Sequence, residues 1–157
     1  MDKSLSVINE VLVDIFKDIL YIQHDYVVNK GKINVKNLSY TEMHTISAIG
    51  ENSSKSMSEV AKELGITVGT LTIAINNLVK KGYVSRTRDE LDRRVVLITL
   101  TDKGKEVCRI HDEFHTEMVK ATIDGLTKEE EEFLVKALYK LEYFLKEKGE
   151  EVVNKRG

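Results

Sequence analysis

Two arginines follow an aspartate at the tip of a predicted hairpin, in the segment DELDRRVV at residues 89–96. A hairpin tip is exposed to solvent, so packing of the core requires no charge there. Asp92 can hold a guanidinium through a bidentate contact, and the narrow minor groove of A·T-rich DNA accepts an inserted arginine. We therefore expect Arg93 or Arg94 to enter the minor groove, oriented by Asp92, with a solvated turn as the alternative.

A run of short polar side chains precedes this hairpin, in the segment TVGTLTIAINN at residues 67–77. Threonine is a mediocre helix former, so its frequency in a predicted helix suggests a role other than helix stability. Hydroxyl and amide side chains can hydrogen-bond to base edges, or contact thymine methyl groups, when a helix lies in the major groove. The alternative is that they only cap and solvate the helix. The candidate base-reading residues are Thr67, Thr70, Thr72, Asn76 and Asn77.

Positive charge is concentrated in the middle of the chain. Residues 55–105 carry a net charge of +4 and the remainder −6, although the whole chain stands at −2. Such an asymmetry can bring a polyanion to one face of a protein. Lys80, Arg86 and Arg88 are candidate phosphate contacts, which add affinity without sequence information. Ser56, at the start of the preceding helix, is assigned to the same DNA-binding set.

The order of elements around these residues predicts a winged helix-turn-helix over residues 38–100. Ser39 with Glu42, and Ser56 with Glu59, have the spacing of capping boxes that begin two helices. Gly65 separates the second of these helices from TVGTLTIAINN, as in a helix-turn-helix. The segments YVSRTRD and VVLITL then alternate as the two strands of a hairpin, the wing.

Long helices with regular apolar stripes are predicted on both sides of the winged module. The first stripe advances in steps of three and four residues through Leu5, Ile8, Leu12, Ile15, Ile19, Ile22 and Tyr26. Such a stripe packs against other helices, and in a chain this small the partner could be a second subunit. We therefore predict a mainly α-helical fold with a small β-hairpin. Residues 4–32 and 101–150 would be dimerisation helices, and residues 1–157 a single domain.

Composition limits the class of protein. The 157 residues contain no apolar stretch of about 18, so no membrane-spanning helix is expected. The single cysteine, Cys108, excludes an intramolecular disulfide and fits a reducing cytoplasm. No glycine-rich phosphate loop or nucleophile motif is present, so we expect no enzymatic activity. A winged helix that serves only protein contacts is an alternative to DNA binding.

The segment DRRVVLITLTDKG at residues 92–104, behind a helix-turn-helix, resembles the MarR family of bacterial transcription regulators. The resemblance covers nearly the whole chain. Together with LSYTEMHTISAIG at residues 38–50 and FHTEMV at residues 114–119, it is most similar to the branch that represses fatty-acid synthesis. It implies a repressor that binds double-stranded DNA as a homodimer, on a pseudo-palindromic A·T-rich operator. The implied co-repressor is a long-chain acyl group on acyl carrier protein.

An acyl chain would need an apolar cleft between the dimerisation helices and the winged module. For any single candidate residue, plain core packing is the favoured alternative. The candidate lining residues are Ile15, Ile19, Ile22, Met43, His44, Ile46, Phe114 and Met118.

A zinc-responsive repressor is the main alternative, although no resident cofactor is expected. His111 and His115 lie four residues apart, on one face of a predicted helix, which suits chelation. His44 could complete the set from a neighbouring helix, with His24 or Asp25 as a further ligand. A thiol sensor based on Cys108 is a weaker alternative, since there is no second cysteine to form a disulfide.

Overall fold

The computed structural model describes residues 3–31, 35 and 37–154. They form six helices and three strands, in an order that matches the predicted winged helix-turn-helix. The first compact unit extends to Thr116, and the second begins at Glu117. None of the described helices is long and apolar enough to cross a bilayer. The elements are α1 (Lys3–Lys30), α2 (Tyr40–Ile49), β1 (Lys55–Ser56), α3 (Met57–Leu64), α4 (Val68–Lys80), β2 (Val84–Arg88), β3 (Val96–Leu100), α5 (Asp102–Ile123) and α6 (Lys128–Asn154).

Both predicted capping boxes are confirmed. At the start of α2, the Ser39 hydroxyl accepts from the Glu42 amide at 3.2 Å, and the Glu42 carboxylate accepts from the Ser39 amide at 2.8 Å. Ser56 and Glu59 repeat the arrangement at the start of α3, with distances of 3.2 and 2.7 Å. Each box satisfies amides that have no partner within the helix. The sequence therefore fixes where both helices begin.

The turn between α3 and α4 depends on Gly65. This residue has φ of 66° and ψ of 31°, in the left-handed region that glycine adopts at little cost. Thr67 then caps α4, because its hydroxyl accepts from the Thr70 amide at 3.1 Å. The short turn places α4 directly after α3, which is the predicted helix-turn-helix.

The sheet has three antiparallel strands in the order β1–β3–β2. The predicted hairpin is confirmed, with Val84 opposite Leu100 and Arg88 opposite Val96. The difference from the prediction is β1, a two-residue strand in which Lys55 pairs with Ile98. Two residues are too few to show the alternation that identifies a strand in a sequence. The wing is therefore anchored on both sides of β3.

The core of the first unit lies beneath the helix-turn-helix and the wing. The inward face of α4 consists of Leu71, Ile75 and Leu78, which are completely buried. Met43 and Ile46 of α2 belong to the same apolar cluster. The other completely buried members of this cluster are Val27, Ile49, Val60, Tyr83, Ile98 and Val107.

A polar network joins the end of α4 to the start of α2. The Lys81 ammonium donates to both oxygens of the buried Glu42 carboxylate at 2.8 Å. The Tyr83 hydroxyl donates to the Asn37 side chain at 3.0 Å, and the Lys103 ammonium lies 4.1 Å from the centre of the Tyr83 ring. These contacts fix α4, the helix predicted to read bases (the reading helix), and β2, the first wing strand, relative to α2.

The apolar stripe of α1 lies largely on the surface of the single chain. Leu5, Ile8 and Ile22 expose more than half of their area, while Gln23 and Val27 are the residues that α1 buries. The predicted helix end at residue 32 lies outside the described residues. An exposed stripe of this kind is compatible with a second subunit, and the assignment to dimerisation stays a prediction.

Candidate DNA-binding surface

The side chains on the outer face of α4 form a polar surface. Thr70, Asn76 and Asn77 are exposed, whereas Thr72 is half-buried. The Thr72 hydroxyl donates to the Val68 carbonyl at 2.8 Å, and the hydroxyls of Thr67 and Thr70 lie 2.9 Å apart. The structure thus places the five predicted base-reading residues on one helix and its cap. Of these, Asn77 has the side chain most free to meet a new partner, since the other four make hydrogen bonds within the protein.

Arg86 makes a contact that the sequence did not reveal. Its guanidinium, on β2, donates a short hydrogen bond to the Asn76 side chain on α4. This bond ties the wing to the reading helix and fixes the direction of the Asn76 amide. Lys80 and Arg88, by contrast, are exposed at the ends of α4 and β2. Ser56 is half-buried, and its hydroxyl is occupied in capping α3.

The tip of the wing settles which arginine Asp92 holds. The Arg94 Nε donates to Asp92 Oδ1 at 3.0 Å, and the Arg94 Nη2 donates to Asp92 Oδ2 at 3.1 Å. This bidentate contact also lowers the pKa of the Asp92 carboxyl from its usual value, so the aspartate stays charged. The Arg94 side chain nevertheless remains 92% exposed. Arg93 is exposed as well, in a depression that Arg88, Asp89 and Glu90 also line.

A cavity of about 650 Å³ adjoins the inner edge of this surface. Its wall is mostly apolar, and it lies between α2 and the α3–α4 pair. Of the eight residues predicted to line an acyl cleft, only His44 lines this cavity. Met43 and Ile46 are buried in the core instead, and Ile15 and Ile22 are exposed on α1. The apolar lining residues are Tyr40, Leu64, Ile66, Ile73 and Ala74.

Three predicted metal ligands lie close together, and one of them, His44, lines this cavity. The ring centres of His44 and His111 are 5.6 Å apart, and those of His111 and His115 are 4.6 Å apart. Gln23 and His115 share a hydrogen bond at 2.8 Å, while the Nε2 atoms of His44 and His111 are buried without a partner. Across the described ranges, no group of three or more histidine, cysteine or acidic side chains is arranged to hold a metal ion. The zinc alternative stays a prediction.

Acidification is expected to destabilise the fold through these histidines. Burial lowers the pKa of His44 and of His111 below the ordinary value of 6.5, and Asp112 opposes this effect only in part at His111. The unfolded chain therefore takes up protons first as the pH falls, and stability is lost between pH 6.5 and the lower pKa values of the folded state. With a chelator present, the Tm should fall by several degrees between pH 7.5 and 5.5, and by less in His111→Gln. The prediction is contradicted if the Tm does not change with pH, or if the Tm of His111→Gln falls with pH as steeply as that of the wild type.

Cys108 is poorly suited to act as a thiol sensor. The residue is almost completely buried, and burial raises the pKa of its thiol to about 11. The nearby Asp112 carboxylate, 3.8 Å from the sulfur, acts in the same direction. The reactive thiolate is thus disfavoured at neutral pH.

An exposed reading helix followed by a wing with an arginine at its tip defines a winged-helix DNA-binding protein. Comparisons with known proteins agree. Residues 29–110 match the family described as transcriptional regulator SarA/Rot, and the chain belongs to this family. It is 30% identical over 122 residues to the HTH-type transcriptional regulator SarZ of Staphylococcus epidermidis, covering 78% of this chain and 77% of the relative.

Solved structures confirm the resemblance to the MarR family. The crystal structure of Streptococcus pneumoniae FabT in complex with DNA is 43% identical, with a TM-score of 0.77, and the match covers 91% of this chain and 98% of FabT. A MarR protein from Peptoclostridium difficile is 25% identical, with a TM-score of 0.63, and the match covers 92% and 89% of the two chains. The protein is a transcriptional regulator, and its relatives support DNA as its partner.

Proposed function

We propose that this protein is a repressor that binds a pseudo-palindromic A·T-rich operator as a homodimer. The observation that carries the proposal is the exposed Arg94 guanidinium, which Asp92 holds at the tip of the wing that follows α4. A thin wing can reach a minor groove while the helix lies in the adjacent major groove. Both contacts with the DNA would come from one module, because α4 and the wing strands share a buried core and Arg86 also links β2 to α4.

The exposed apolar surface of α1 supports dimerisation. Ten large apolar side chains of this one helix are at least 45% exposed in the single chain, and exposed apolar surface concentrated on one element marks an interaction site. Two copies related by a two-fold axis would present their reading helices to half-sites about one DNA turn apart, which requires a palindromic operator. The large apolar side chains that α1 exposes are Leu5, Val7, Ile8, Val11, Val13, Ile15, Phe16, Leu20, Tyr21 and Ile22.

Control of fatty-acid-synthesis genes, with long-chain acyl-acyl carrier protein as co-repressor, is the second part of the proposal. It is supported by the 43% identity to FabT and by the apolar cavity beside α4. The cavity volume of about 650 Å³ lies within the usual range for small-ligand sites. Ile73 and Ala74 of the reading helix form part of its wall. An acyl chain bound there would touch α4 directly and could favour one position of the helix over another.

A gel shift with the full-length protein tests both parts. The DNA is the protein's own upstream region and the fatty-acid-synthesis promoters, titrated with acyl-acyl carrier protein and, as a control, with the same carrier lacking an acyl chain. We expect the acylated carrier to tighten binding by about 5- to 150-fold, the usual range of coupling between two sites. If the protein binds none of these DNAs, the proposal that it is their repressor is refuted. An equal effect of both carriers, or an effect of zinc alone that a chelator reverses, would refute the acyl co-repressor.

A further inference from the structure

Leu91 stands alone at the apex of the wing. Its side chain is 99% exposed, whereas the other large apolar residues exposed in the described part of the chain retain 37–74% and almost all lie on helices. Single exposed leucines are common on protein surfaces. The position of this one is informative, because it is three residues from the arginine proposed to enter the minor groove.

Hydrogen bonds hold the Leu91 backbone in place. The Asp89 carboxylate accepts from the amides of Leu91 and Asp92 at 2.7 and 2.9 Å. Asp89 and Val95 are joined through their backbones at 3.0 Å, and the Val95 amide donates to the Asp92 carbonyl at 2.9 Å. The loop is therefore built to present Leu91 outward, so ordering it costs little on binding.

Charge alone gives this tip little attraction for DNA. Residues 88–94 contain three arginines and three acidic residues, a net charge of zero. The two aspartates are occupied within the loop, Asp89 by backbone amides and Asp92 by Arg94. An apolar contact at the tip would therefore add affinity that the charges of the loop do not supply.

We propose that Leu91 is a further DNA-contact residue, which enters the minor groove beside Arg94 and packs its apolar side chain against the deoxyribose walls. The inference rests on the proposed DNA binding. Apolar side chains are used in the minor groove by several classes of DNA-binding protein. Burial of a leucine that is fully exposed in the free protein releases water and requires no ions, so its contribution is independent of salt.

The test measures the affinity of the full-length protein for its operator duplex by fluorescence anisotropy at several salt concentrations. We expect Leu91→Ser to weaken binding about tenfold and to leave the slope of log K against log salt unchanged. Leu91→Met, which keeps an apolar side chain, should bind within about twofold of the wild type. Because Leu91 is almost fully exposed and its hydrogen bond to Asp89 comes from the backbone amide, both variants should keep the wild-type Tm, so failure to fold cannot imitate the effect.

The outcomes separate this inference from the proposed function. If the wild type binds the duplex and Leu91→Ser binds equally well, the inference is overturned while the repressor stands. It is overturned as well if Leu91→Met is as weak as Leu91→Ser, or if the salt slope falls, because the effect would then not be apolar. If the wild type binds no duplex, the proposed function itself fails.

Discussion

Replacing Gly104 with alanine is expected to lower the free energy of unfolding by about 2–3 kcal/mol. A Cβ atom at this position in α5 would lie 2.1 Å from the Tyr83 carbonyl oxygen and 3.3 Å from the Leu100 Cβ. The first of these is a backbone atom, which also accepts from the Thr101 amide at 3.0 Å. The new methyl group can be accommodated only if the start of α5 moves away from the wing. The free-energy cost of that movement exceeds the gain in helix propensity from alanine.

Urea denaturation of the wild type and of Gly104→Ala measures this difference in the free energy of unfolding. Gly69→Ala is the matched control, because it is also a glycine in the first turns of a helix and its Cβ would come no closer than 3.9 Å to Thr67 Oγ1. That control should gain about 0.5–1 kcal/mol from the lower backbone entropy of the unfolded chain. Equal stability of the two variants would show that α5 does not approach Tyr83 so closely.

The helix-turn-helix and the wing could be predicted because their signals are local. A capping box needs only Ser and Glu three residues apart, and the strands need only alternating side chains. Each of these signals is satisfied within a few residues, so tertiary contacts do not override them. The first residues of α2 and α3 therefore agree with the prediction.

Features that depend on contacts between distant segments could not be predicted. The strand β1 exists because Lys55 meets Ile98, which is far away in the sequence. The bond between Arg86 and Asn76 requires the register of β2 beside α4, and neither residue type alone indicates it. Similarly, Asp92 is adjacent to one arginine and two residues from the other, so only the turn geometry shows that it holds Arg94.

The residues predicted to line an acyl cleft show a second limit of prediction from sequence. A periodic apolar stripe indicates that a helix face is covered, but it does not identify what covers it. Met43 and Ile46 are covered by the core of their own unit, whereas Ile15 and Ile22 are exposed in the single chain. The apolar cavity instead uses Ile73, an outward residue of α4 that no periodicity argument selects for burial. Cavities arise where packing is incomplete, and an amphipathic pattern does not encode that.

The second large effect expected is on DNA affinity, when Arg94 is replaced by alanine. Loss of one well-placed groove contact should weaken operator binding by about 10- to 100-fold. The slope of log K against log salt should also fall by about one, since one cation fewer displaces counterions. Anisotropy titrations at several salt concentrations measure both quantities. Lys148→Ala, on α6 and paired with Glu151, is the control that removes one positive charge elsewhere.

Asp92→Asn then distinguishes orientation from charge. This change makes the wing more positive by one unit, so general electrostatic attraction predicts tighter binding. If Asp92 instead positions the Arg94 guanidinium through the bidentate contact, loss of the carboxylate frees Arg94 and binding should weaken by a smaller factor than in Arg94→Ala. The asparagine can still accept the hydrogen bond that the Arg94 amide donates at 3.0 Å, so the turn is retained.

The double variant tests whether the two residues act as one unit. If they do, Asp92→Asn should add nothing to the loss of affinity that Arg94→Ala causes. Tighter binding by Asp92→Asn would show that Asp92 only repels the phosphates.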